Sequence, residues 1–440
     1  MARNMKDSGI EWIGEIPEGW SVSKVLHCLS MPITDGPHTT PILYDTGIPF
    51  VSAEAVSCGN GRIDFSHIRG YISEQFYKEC CQKYVPEIDD IYMIKSGATT
   101  GRVAIVDTTR VFTIWSPLAV FRCNKDCMLP KFLYYYLQSP AFQKEVEFGW
   151  TFGTQQNVGM RSLEQMKVCV PQLNKQDTIA NYLDYQCSQI DLLLQKALTS
   201  IEEYKKLKQA VITQAVTKGV RGKREMKDSR VEWAGLVPHH WGVAKIGSIG
   251  QTSSGATPLR SKESSFFDDA TIRWVRTLDL NDGLVYDSSE KITELALASS
   301  ACSIMPKGTV CVAMYGGAGT IGKCGLLMSD CATNQAVCSI VCNREIVSPI
   351  FLLMQLLALK SYWMKYAVGT RKDPNISQDV VARMKILIPP LDEQKEITDY
   401  LDTKCTEIDK LIAKKEQLVK ELESYKKSLI YEVVTGKREV

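Results

Sequence analysis

Apolar positions recur most regularly in two long stretches of the chain, one beginning near Val170 and the other near Ile388. In the second stretch they fall three, four or seven residues apart. This narrow spacing is typical of the seam of a coiled coil rather than of the wide apolar face of a globular helix. It predicts two helices of about 45 residues, roughly 65 Å long, that pair with each other. The expected seam is formed by Ile190, Leu193, Tyr204, Leu207 and Val211 in the first helix and by Ile408, Leu411, Leu418, Leu422, Tyr425 and Leu429 in the second.

Both predicted helices have recognisable ends. Each follows a proline, and Asn174 or Asp392 is expected to be the N-cap, because a short polar side chain can accept a hydrogen bond from the first turn. Gly219 and Gly436 are expected to end the helices, since glycine readily adopts the left-handed conformation found at helix C-termini. Rods of this length indicate a spacer between two bodies. The alternative is a pair of surface helices on one globular core.

The two stretches are copies of one another at a constant offset. A second motif, Lys6–Val25, returns as Lys227–Ile246. Each half of the chain is therefore predicted to contain an opening motif, a variable body and a long helix. The corresponding residues of the helices include Pro171 and Pro389, Leu173 and Leu391, Gln176 and Gln394, and Ile179 and Ile397.

This duplication predicts the domain boundaries. We expect a first domain over residues 1–169, a first spacer helix over 170–221, a second domain over 222–387 and a second spacer helix over 388–440. The segment GKRE after the first helix, at residues 222–225, occurs again at residues 436–439 after the second. We therefore expect the two chain ends to lie close together in a closed, pseudo-twofold ring.

The two bodies share the order of their predicted elements rather than their sequence. Each has short strand-like runs, a glycine-rich turn between strands, an apolar strand and an amphipathic helix. The glycine-rich turns are KSGATTGRVAIV in the first body and YGGAGTIGKCGLL in the second. The fold class predicted for each body is mixed α/β.

Composition is that of an ordinary globular protein, with 45% hydrophobic and 23% charged residues among 440. No stretch is apolar enough to span a membrane, and no leader-like segment is apparent, so a cytoplasmic protein is expected. The 15 cysteines are scattered through apolar runs, which predicts reduced, buried thiols rather than disulfides. The spacings Cys123 to Cys127 and Cys338 to Cys342 lack a nearby histidine, so no metal site is predicted.

Polar side chains suited to nucleic acid cluster in the loops of both bodies. Arginine and lysine pair with guanine, asparagine and glutamine with adenine, and the threonine methyl group contacts thymine. A solvated loop is the alternative for any single residue. The candidates are His38, Thr39, Thr40, Lys95, Thr99, Thr100, Arg102, Gln155, Gln156 and Asn157 in the first body, and Thr257, Arg260, Lys262, Arg276, Tyr315, Lys323, Asn334, Gln335, Arg371, Lys372 and Asn375 in the second.

Residues 317–324, GAGTIGKC, nearly match a phosphate-binding loop. The match fails at Cys324, which has no hydroxyl to hold Mg²⁺, and the following GLLM favours a strand rather than a helix. Neither a cofactor loop nor an Asn-Pro-Pro-Tyr motif of a methyltransferase is present in the sequence. No catalytic residue and no cofactor are therefore predicted for this chain.

The duplicated order of motifs, together with SGATPLRSKESSFF, WVRTLDL and the PPLDEQ helix start, resembles the DNA specificity subunit of type I restriction–modification systems. The resemblance covers the whole chain, although the first helix begins with QLNKQ where the second has PLDEQ. It implies two target recognition domains, each reading half of a split site on double-stranded DNA. It also implies that the two long helices form an antiparallel coiled coil.

The same resemblance implies the partners. The helices would set the gap between half-sites and dock two methyltransferase subunits, and restriction subunits would join through that complex. AdoMet, ATP and Mg²⁺ would belong to those partners, and the chain itself would not be an enzyme. The alternative function is a non-catalytic scaffold that joins two protein ligands without touching DNA. Affinity that falls steeply with salt would favour the DNA-binding function.

Overall fold

The computed structural model describes residues 4–152, 156–259, 263–316, 319–369 and 374–440. Five candidate contact residues lie outside these ranges, and so do Gly317 and Ala318 of the loop that nearly matches a phosphate-binding sequence. The five are Gln155, Arg260, Lys262, Arg371 and Lys372. The chain divides into two compact units, residues 1–198 with 417–440 and residues 199–416. Each unit therefore contains one body, the first part of one long helix and the last part of the other.

The first unit contains the opening motif, the first body and parts of both long helices. Short 3-10 turns lie at Val25–Cys28 and Phe65–His67. Its strands are β1 (Met5–Asp7), β2 (Glu15–Pro17), β3 (Ser21–Lys24), β4 (Thr34–Asp35), β5 (Ile48–Val51), β6 (Tyr71–Ile72), β7 (Ile91–Ile94), β8 (Val103–Ile105), β9 (Thr113–Ile114), β10 (Leu118–Phe121), β11 (Trp150–Phe152), β12 (Gln156–Val158) and β13 (Lys167–Val170). Its helices are α1 (Ala53–Cys58), α2 (Glu74–Cys81), α3 (Pro130–Gln138), α4 (Pro140–Phe148), α5 (Met160–Gln165) and the first part of α6 (Leu173–Lys218).

The first body is built on two small sheets. One has the strand order β4-β10-β7-β8 and is antiparallel, and the other has the order β6-β5-β9. Every residue of β7 and β10 is buried, as expected for apolar strands that are covered on both faces. One hydrophobic core lies around Tyr92, Phe112 and Val120. A larger core joins Trp20 and helix α3 to buried residues of the two long helices.

The second unit repeats this plan. A 3-10 turn lies at Lys360–Lys365. Its strands are β14 (Met226–Asp228), β15 (Leu236–Pro238), β16 (Gly242–Lys245), β17 (Gly250–Ser254), β18 (Ile272–Val275), β19 (Gly283–Val285), β20 (Glu290–Ile292), β21 (Ile304–Met305), β22 (Val310–Ala313), β23 (Cys324–Leu327), β24 (Cys331–Thr333), β25 (Val337–Cys342), β26 (Val368–Gly369), β27 (Pro374–Asn375) and β28 (Lys385–Ile388). Its helices are α7 (Ile246–Ile249), α8 (Glu263–Phe267), α9 (Glu294–Ala298), α10 (Pro349–Ala358), α11 (Gln378–Arg383) and α12 (Leu391–Val434), whose end belongs to the first unit.

The sheets of the second body correspond to those of the first. The larger sheet has the order β17-β25-β22-β23-β19, and the smaller one has the order β20-β18-β24-β21. In both bodies the smaller sheet contains one parallel pair, β5 with β9 and β18 with β24. The mixed α/β class predicted from the sequence is confirmed, and the glycine-rich turns lie between paired strands, β7 with β8 and β22 with β23.

The opening motif and the start of each long helix form a common frame. Strand β3 pairs antiparallel with β13, and β16 pairs with β28 in the same way. The buried amide of Gln176 accepts a hydrogen bond from Leu129 N at 2.7 Å and donates to Cys127 O and Pro171 O, both at 2.8 Å. Because a buried amide is costly unless its hydrogen bonds are satisfied, this glutamine fixes the helix start against the body.

Gln394 makes the equivalent three hydrogen bonds in the second unit. It accepts from Ser348 N at 2.8 Å and donates to Ile346 O and Pro389 O, both at 2.9 Å. The glutamine shared by the two helix starts in the sequence is therefore explained by one structural role.

The predicted long helices are present, with 46 residues in α6 and 44 in α12. The proposed N-caps are wrong, because α6 begins at Leu173 and α12 at Leu391, which places Asn174 and Asp392 inside the first turn. The predicted ends are confirmed. Gly219 and Gly436 follow the helices with φ of +73° and +71°, the left-handed conformation that glycine adopts without strain.

The helix seam differs from the expected one. Of the predicted seam residues, the structure buries or half-buries Ile190, Tyr204, Val211, Ile408, Leu422 and Leu429. It exposes the other five, which are Leu193 (50%), Leu207 (48%), Leu411 (42%), Leu418 (38%) and Tyr425 (47%). These five lie beside the seam rather than on it. Residues 192–194 are all leucine, so the spacing of apolar residues alone could not distinguish two neighbouring apolar stripes on the helix.

The seam in the structure alternates steps of four and three residues along each helix, which is the heptad repeat of a coiled coil. Most of its positions are buried or half-buried apolar residues, and the rest are half-buried lysines. They are Leu183, Cys187, Ile190, Leu194, Ala197, Ile201, Tyr204, Lys208, Val211 and Ala215 in α6, and Leu401, Cys405, Ile408, Ile412, Lys415, Val419, Leu422, Lys426, Leu429 and Val433 in α12.

The helices pair antiparallel in each unit, as predicted. In the first unit, Lys426 Nζ donates to Asp191 Oδ1 at 2.6 Å. In the second, Lys208 Nζ lies 2.7 Å from Asp409 Oδ2. The partner number falls as the residue number rises, which defines the antiparallel register. The two ion pairs occupy equivalent positions of the internal repeat.

Three further observations concern composition. All 15 cysteines are free thiols, and most are buried. Across the described ranges, no cluster of three or more His, Cys, Asp or Glu side chains is arranged to hold a metal ion. None of the described helices is both long enough and apolar enough to cross a membrane.

Candidate nucleic-acid interface

In the first body, loops that are distant in sequence converge at one edge. Ser96 in the glycine-rich turn forms a β-bridge with Asn157 of strand β12, and Gly97 N donates to Gln156 O at 3.0 Å. Lys95 connects three segments through its backbone, since its N–H donates to Pro117 O at 2.8 Å and its carbonyl accepts from Val158 N at 2.9 Å. The glycine-rich turn, the β11–β12 hairpin and the turn after β9 therefore form one continuous surface, which we call the first reading edge.

The second body forms the same edge from corresponding residues. Tyr315 forms a β-bridge with Asn375, as Ser96 does with Asn157. Met314 takes the place of Lys95: its N–H donates to Ala336 O, and its carbonyl accepts from Ile376 N, both at 2.8 Å. We call this surface the second reading edge. The internal repeat thus extends to the loops, where the sequences of the two halves have diverged.

A further loop joins each edge through a close backbone contact. A Cβ atom on Gly36 would lie 2.0 Å from Ile114 O, and one on Gly255 would lie 1.8 Å from Thr333 O. Only glycine allows this approach, because any side chain would overlap the opposing carbonyl. The loops that follow carry His38, Thr39 and Thr40 in the first body and Thr257 in the second. Sequence reasoning missed both glycines, although each stands shortly before a Thr-Pro pair in its loop.

A buried carboxylate, also missed from the sequence, lies behind the first reading edge. Asp35 is 1% exposed and forms ion pairs with Lys83 and Lys95, whose Nζ lies 3.3 Å from Oδ2, and His38 Nε2 lies 3.2 Å from the same oxygen. Burial opposes ionisation of this carboxyl, but the hydrogen bonds and charges of Lys83 and Lys95 outweigh it and lower the pKa of Asp35. The Lys95 side chain is only 12% exposed, whereas His38 is 72% exposed. Of these two candidates, His38 is the one that solvent and ligands can reach.

The remaining candidates of the first body divide into two groups. Thr39, Thr40, Gln156 and Asn157 are exposed at or beside the reading edge. Thr100 and Arg102 instead line a cavity of about 850 Å³ together with residues of α6 and α12, and Arg102 Nη1 donates to Ser57 O at 3.0 Å. Thr99 lies in the same turn, where its carbonyl accepts from Arg102 N at 3.2 Å. The structure therefore does not bring all candidates of this turn to one surface.

In the second body, most described candidates lie near the edge but are engaged by neighbours. The Thr257 hydroxyl hydrogen-bonds to the Gln335 amide. Asn334 Oδ1 accepts from Ala336 N at 3.1 Å. Arg276 is bound by Glu290, with Nη1 and Oε1 2.6 Å apart, and its Nη2 donates to Ser289.

Lys323 is half-buried and is followed directly by strand β23. A phosphate-binding loop would instead lead into a helix whose N-terminus faces the phosphate. The described part of this loop, residues 319–323, leads into a strand and not into a helix.

Comparison with known proteins gives consistent matches over the whole chain. A family model described as the type I restriction modification DNA specificity domain matches twice, over residues 39–203 and 238–423. The putative type I restriction enzyme MjaX specificity subunit of Methanocaldococcus jannaschii is 25% identical over 97% of this chain and 95% of its own. The MjaVIII specificity subunit of the same organism is 24% identical over 84% of each chain.

A solved structure is similar as well. Its description concerns the complex assembly and conformational transition of the type I R-M system. The two chains align with a TM-score of 0.73 over 96% of this chain and 99% of that chain. At 14% identity, this likeness concerns the fold. It shows that this mixed α/β fold with a long helix pair also occurs in a protein of that system.

Proposed function

The chain belongs to the family of type I restriction–modification DNA specificity proteins, and we propose that each of its two bodies reads one half of a divided DNA site. The role of the chain is DNA sequence specificity. The observation that supports the proposal is the duplication of the reading edge. The bridges Ser96 to Asn157 and Tyr315 to Asn375 occupy equivalent positions, so each body has a reading edge built from the same elements. Two edges with different side chains suit two different half-sites.

Reading would use the exposed polar groups of each edge. His38, Thr39, Thr40, Gln156 and Asn157 offer hydrogen-bond donors and acceptors in the first body. Gln335 and Asn375 are exposed at the second edge. Amide side chains can bond two atoms of adenine at once, which is a direct means of discriminating bases. Lysines and arginines elsewhere on the bodies would contact phosphates, which position the duplex without reading its sequence.

We propose that the long helices set the gap between half-sites. Helices α6 and α12 are uninterrupted over 46 and 44 residues, and a paired helix is stiffer than a loop of the same length. Each body is fixed to a helix start through Gln176 or Gln394. A change in helix length should therefore change the distance between the two reading edges.

The exposed stripe beside the seam would dock partner subunits. Leu193, Leu207, Leu411, Leu418 and Tyr425 are each 38–50% exposed, and on α12 they stand seven residues apart. Leu411 and Tyr425 occupy the repeat positions of Leu193 and Leu207, so the stripe is present twice. Apolar residues aligned along a helix are typical of a protein interface. Two equivalent stripes suit two methyltransferase subunits, with restriction subunits joining through them and with AdoMet, ATP and Mg²⁺ bound by those partners.

Methylation mapping tests the reading proposal. The chain is coexpressed with its methyltransferase subunit, and methylated positions are mapped genome-wide. We expect a split site, and Gln156→Ala with Asn157→Ala should relax the half read by the first body while leaving the other half intact. Binding should weaken steeply between about 50 and 200 mM salt, as it does when phosphates are neutralised. A complex that methylates without sequence preference, or that binds DNA equally well at both salt concentrations, would contradict the proposal.

Copurification tests the docking stripe. Leu411→Asp with Tyr425→Asp should reduce recovery of the methyltransferase subunit, because a carboxylate cannot enter an apolar interface without loss of its hydration. The control is Gln417→Asp with Ser424→Asp, since it adds the same two negative charges at exposed positions outside the stripe. Equal recovery with all three proteins would show that the partners bind elsewhere.

A further inference from the structure

We propose that Asp35 is a positioning residue that fixes the first reading edge through Lys95, and that this device determines specificity in the first half-site only. The inference rests on the proposed function, because it assigns a cause to the selectivity of one body. Asp35 itself cannot touch DNA, since it is 1% exposed. Its influence must therefore pass through the groups that it holds.

Those groups belong to three separate segments. His38 lies in the loop after β4, Lys83 follows helix α2, and Lys95 begins the glycine-rich turn after β7. The His38 Nε2 atom lies 3.2 Å from Oδ2 of the buried carboxylate, and the side chain is 72% exposed. The ion pairs of Asp35 with Lys83 and Lys95 hold the residue at the start of this loop in position. The exposed residues Thr39 and Thr40 follow directly.

Lys95 links this ion-pair cluster to the other half of the edge. Its ammonium lies 3.3 Å from Asp35 Oδ2, while its backbone binds the turn at Pro117 and the hairpin at Val158. Lys95 therefore adds a side-chain link between the start of the His38 loop and the strand that carries Gln156 and Asn157. If this link is lost, the pairing of Asp35 with Ala119 and the contact of Gly36 with Ile114 remain, but the side chains of the two loops are held less closely in register.

The second body shows that the fold does not need this pair. Asp35 pairs with Ala119 across β4 and β10, and Ser254 pairs with Cys338 at the corresponding place across β17 and β25. Met314 makes the backbone bonds that Lys95 makes, through an apolar side chain. The same frame thus forms with serine and methionine in place of aspartate and lysine.

A largely buried ion pair usually contributes little net stability, because loss of hydration offsets the attraction between the charges. In some proteins such a pair fixes one geometry and excludes alternatives. Since the second body builds an equivalent edge with serine and methionine at these two positions, we assign the pair to the selectivity of the first edge. At the second edge, the Thr257 hydroxyl and the Gln335 amide bind each other instead.

The test replaces the pair with the residues of the second body. Asp35→Ser with Lys95→Met is made in the full chain, which is then coexpressed with the methyltransferase. The matched control is Asp107→Ser with Arg62→Met, which removes an ion pair of 2.8 Å in the same body where the side chains are 41% and 74% exposed. Methylation is measured on DNA carrying single-base changes in either half-site, and thermal unfolding is measured on the same proteins.

We expect preference for the correct first half-site to fall by about tenfold or more in the Asp35 and Lys95 variant. The second half-site and the unfolding temperature should stay unchanged, and the control should behave as the wild type. Unchanged preference at the first half-site would overturn the inference, and so would failure of the variant to fold, since the pair would then be a requirement of the fold. If the wild type itself recognises no split site, the proposed function fails instead.

Discussion

Glu393 is a carboxylate at the start of α12 that is only 3% exposed. It accepts hydrogen bonds from Arg224 Nη1 at 2.9 Å and Trp241 Nε1 at 2.8 Å, and it lies 3.0 Å from Arg221 Nη1 and 2.8 Å from His240 Nε2. This cluster joins the opening motif of the second half, the segment after α6 and the start of α12. The sequence difference between QLNKQ and PLDEQ therefore changes tertiary contacts as well as the first turn of a helix.

Removal of this carboxylate should destabilise the second unit. Glu393→Ala leaves Arg224 and the buried indole N–H of Trp241 without their acceptor, whereas Arg221 keeps Asp392 and Glu396. The free energy of unfolding should therefore fall by about 3 kcal/mol. The matched control is Lys175→Ala, the equivalent position of the first half, which loses one hydrogen bond, from Lys175 Nζ to Val440 O, so we expect a loss of about 1 kcal/mol. Denaturant unfolding with hydrogen exchange resolved along the chain measures both. A uniform loss across both units would contradict this assignment.

The same residue predicts a pH dependence. Burial opposes ionisation of Glu393, but hydrogen bonds from Trp241, His240 and Arg224 outweigh it and lower its pKa below the ordinary value of 4.5. A carboxyl whose pKa is lower in the folded state stabilises the fold above the unfolded-state pKa and loses that effect as pH falls through the folded-state pKa. The stability difference between wild type and Glu393→Gln should thus shrink as pH falls below 4.5. A stability difference that grows as the pH falls would contradict the lowered pKa assigned to Glu393.

At the scale of elements, the helix pair distinguishes a buried seam from an exposed stripe only three residues away. Ile408 is 6% exposed and Leu411 is 42% exposed. Ile408→Ala should lower the free energy of unfolding by about 3 kcal/mol, because it leaves a cavity in the seam. Leu411→Ala should change it by less than about 0.5 kcal/mol, since alanine also favours the helix. If thermal unfolding shows that both variants lose the same free energy of unfolding, Leu411 belongs to the seam after all.

At the scale of the whole molecule, helix length should determine the DNA gap. A seven-residue insertion keeps the heptad phase, and it must be made in both helices at facing positions, after Ala197 and after Val419, to preserve the antiparallel register. Seven residues add about 10.5 Å, or about three base pairs at 3.4 Å per step. Methylation mapping should show both half-sites unchanged and the gap longer by about that amount. An unchanged gap would mean that the helices do not set it.

The internal repeat also predicts how half of the chain would assemble. In a fragment of residues 1–224, Asp191 of one copy can bind Lys208 of another, because Lys208 and Lys426 are equivalent positions. We expect a homodimer that directs methylation to an inverted repeat of the first half-site. In that dimer, Arg221 and Arg224 would face Lys175 in place of Glu393, which is repulsive.

Lys175→Glu should therefore tighten the dimer by about tenfold, and Lys175→Gln should have an intermediate effect. Sedimentation equilibrium measures the dissociation constants. A fragment that remains monomeric at micromolar concentration would contradict the pairing, and weaker association of the Lys175→Glu variant would contradict the charge argument.

The sequence by itself determined the duplication, the two long helices, their glycine ends and the mixed α/β order of both bodies. These features depend on local periodicity and on the internal repeat, and both can be read from the amino-acid sequence alone. It also located the loops in which the reading edges lie, because glycine-rich turns stand between apolar strands.

The tertiary structure decided which of two apolar stripes became the seam, since Ile408 and Leu411 are equally apolar and differ only in what covers them. It also decided which loop residues stand together. Asp35 forms ion pairs with Lys83 and Lys95, which are distant from it in sequence. Neither these pairs nor the burial of the carboxylate can be recognised from a local sequence pattern. Long-range ion pairs and close backbone approaches, such as Gly36 against Ile114, arise only when the strands pair.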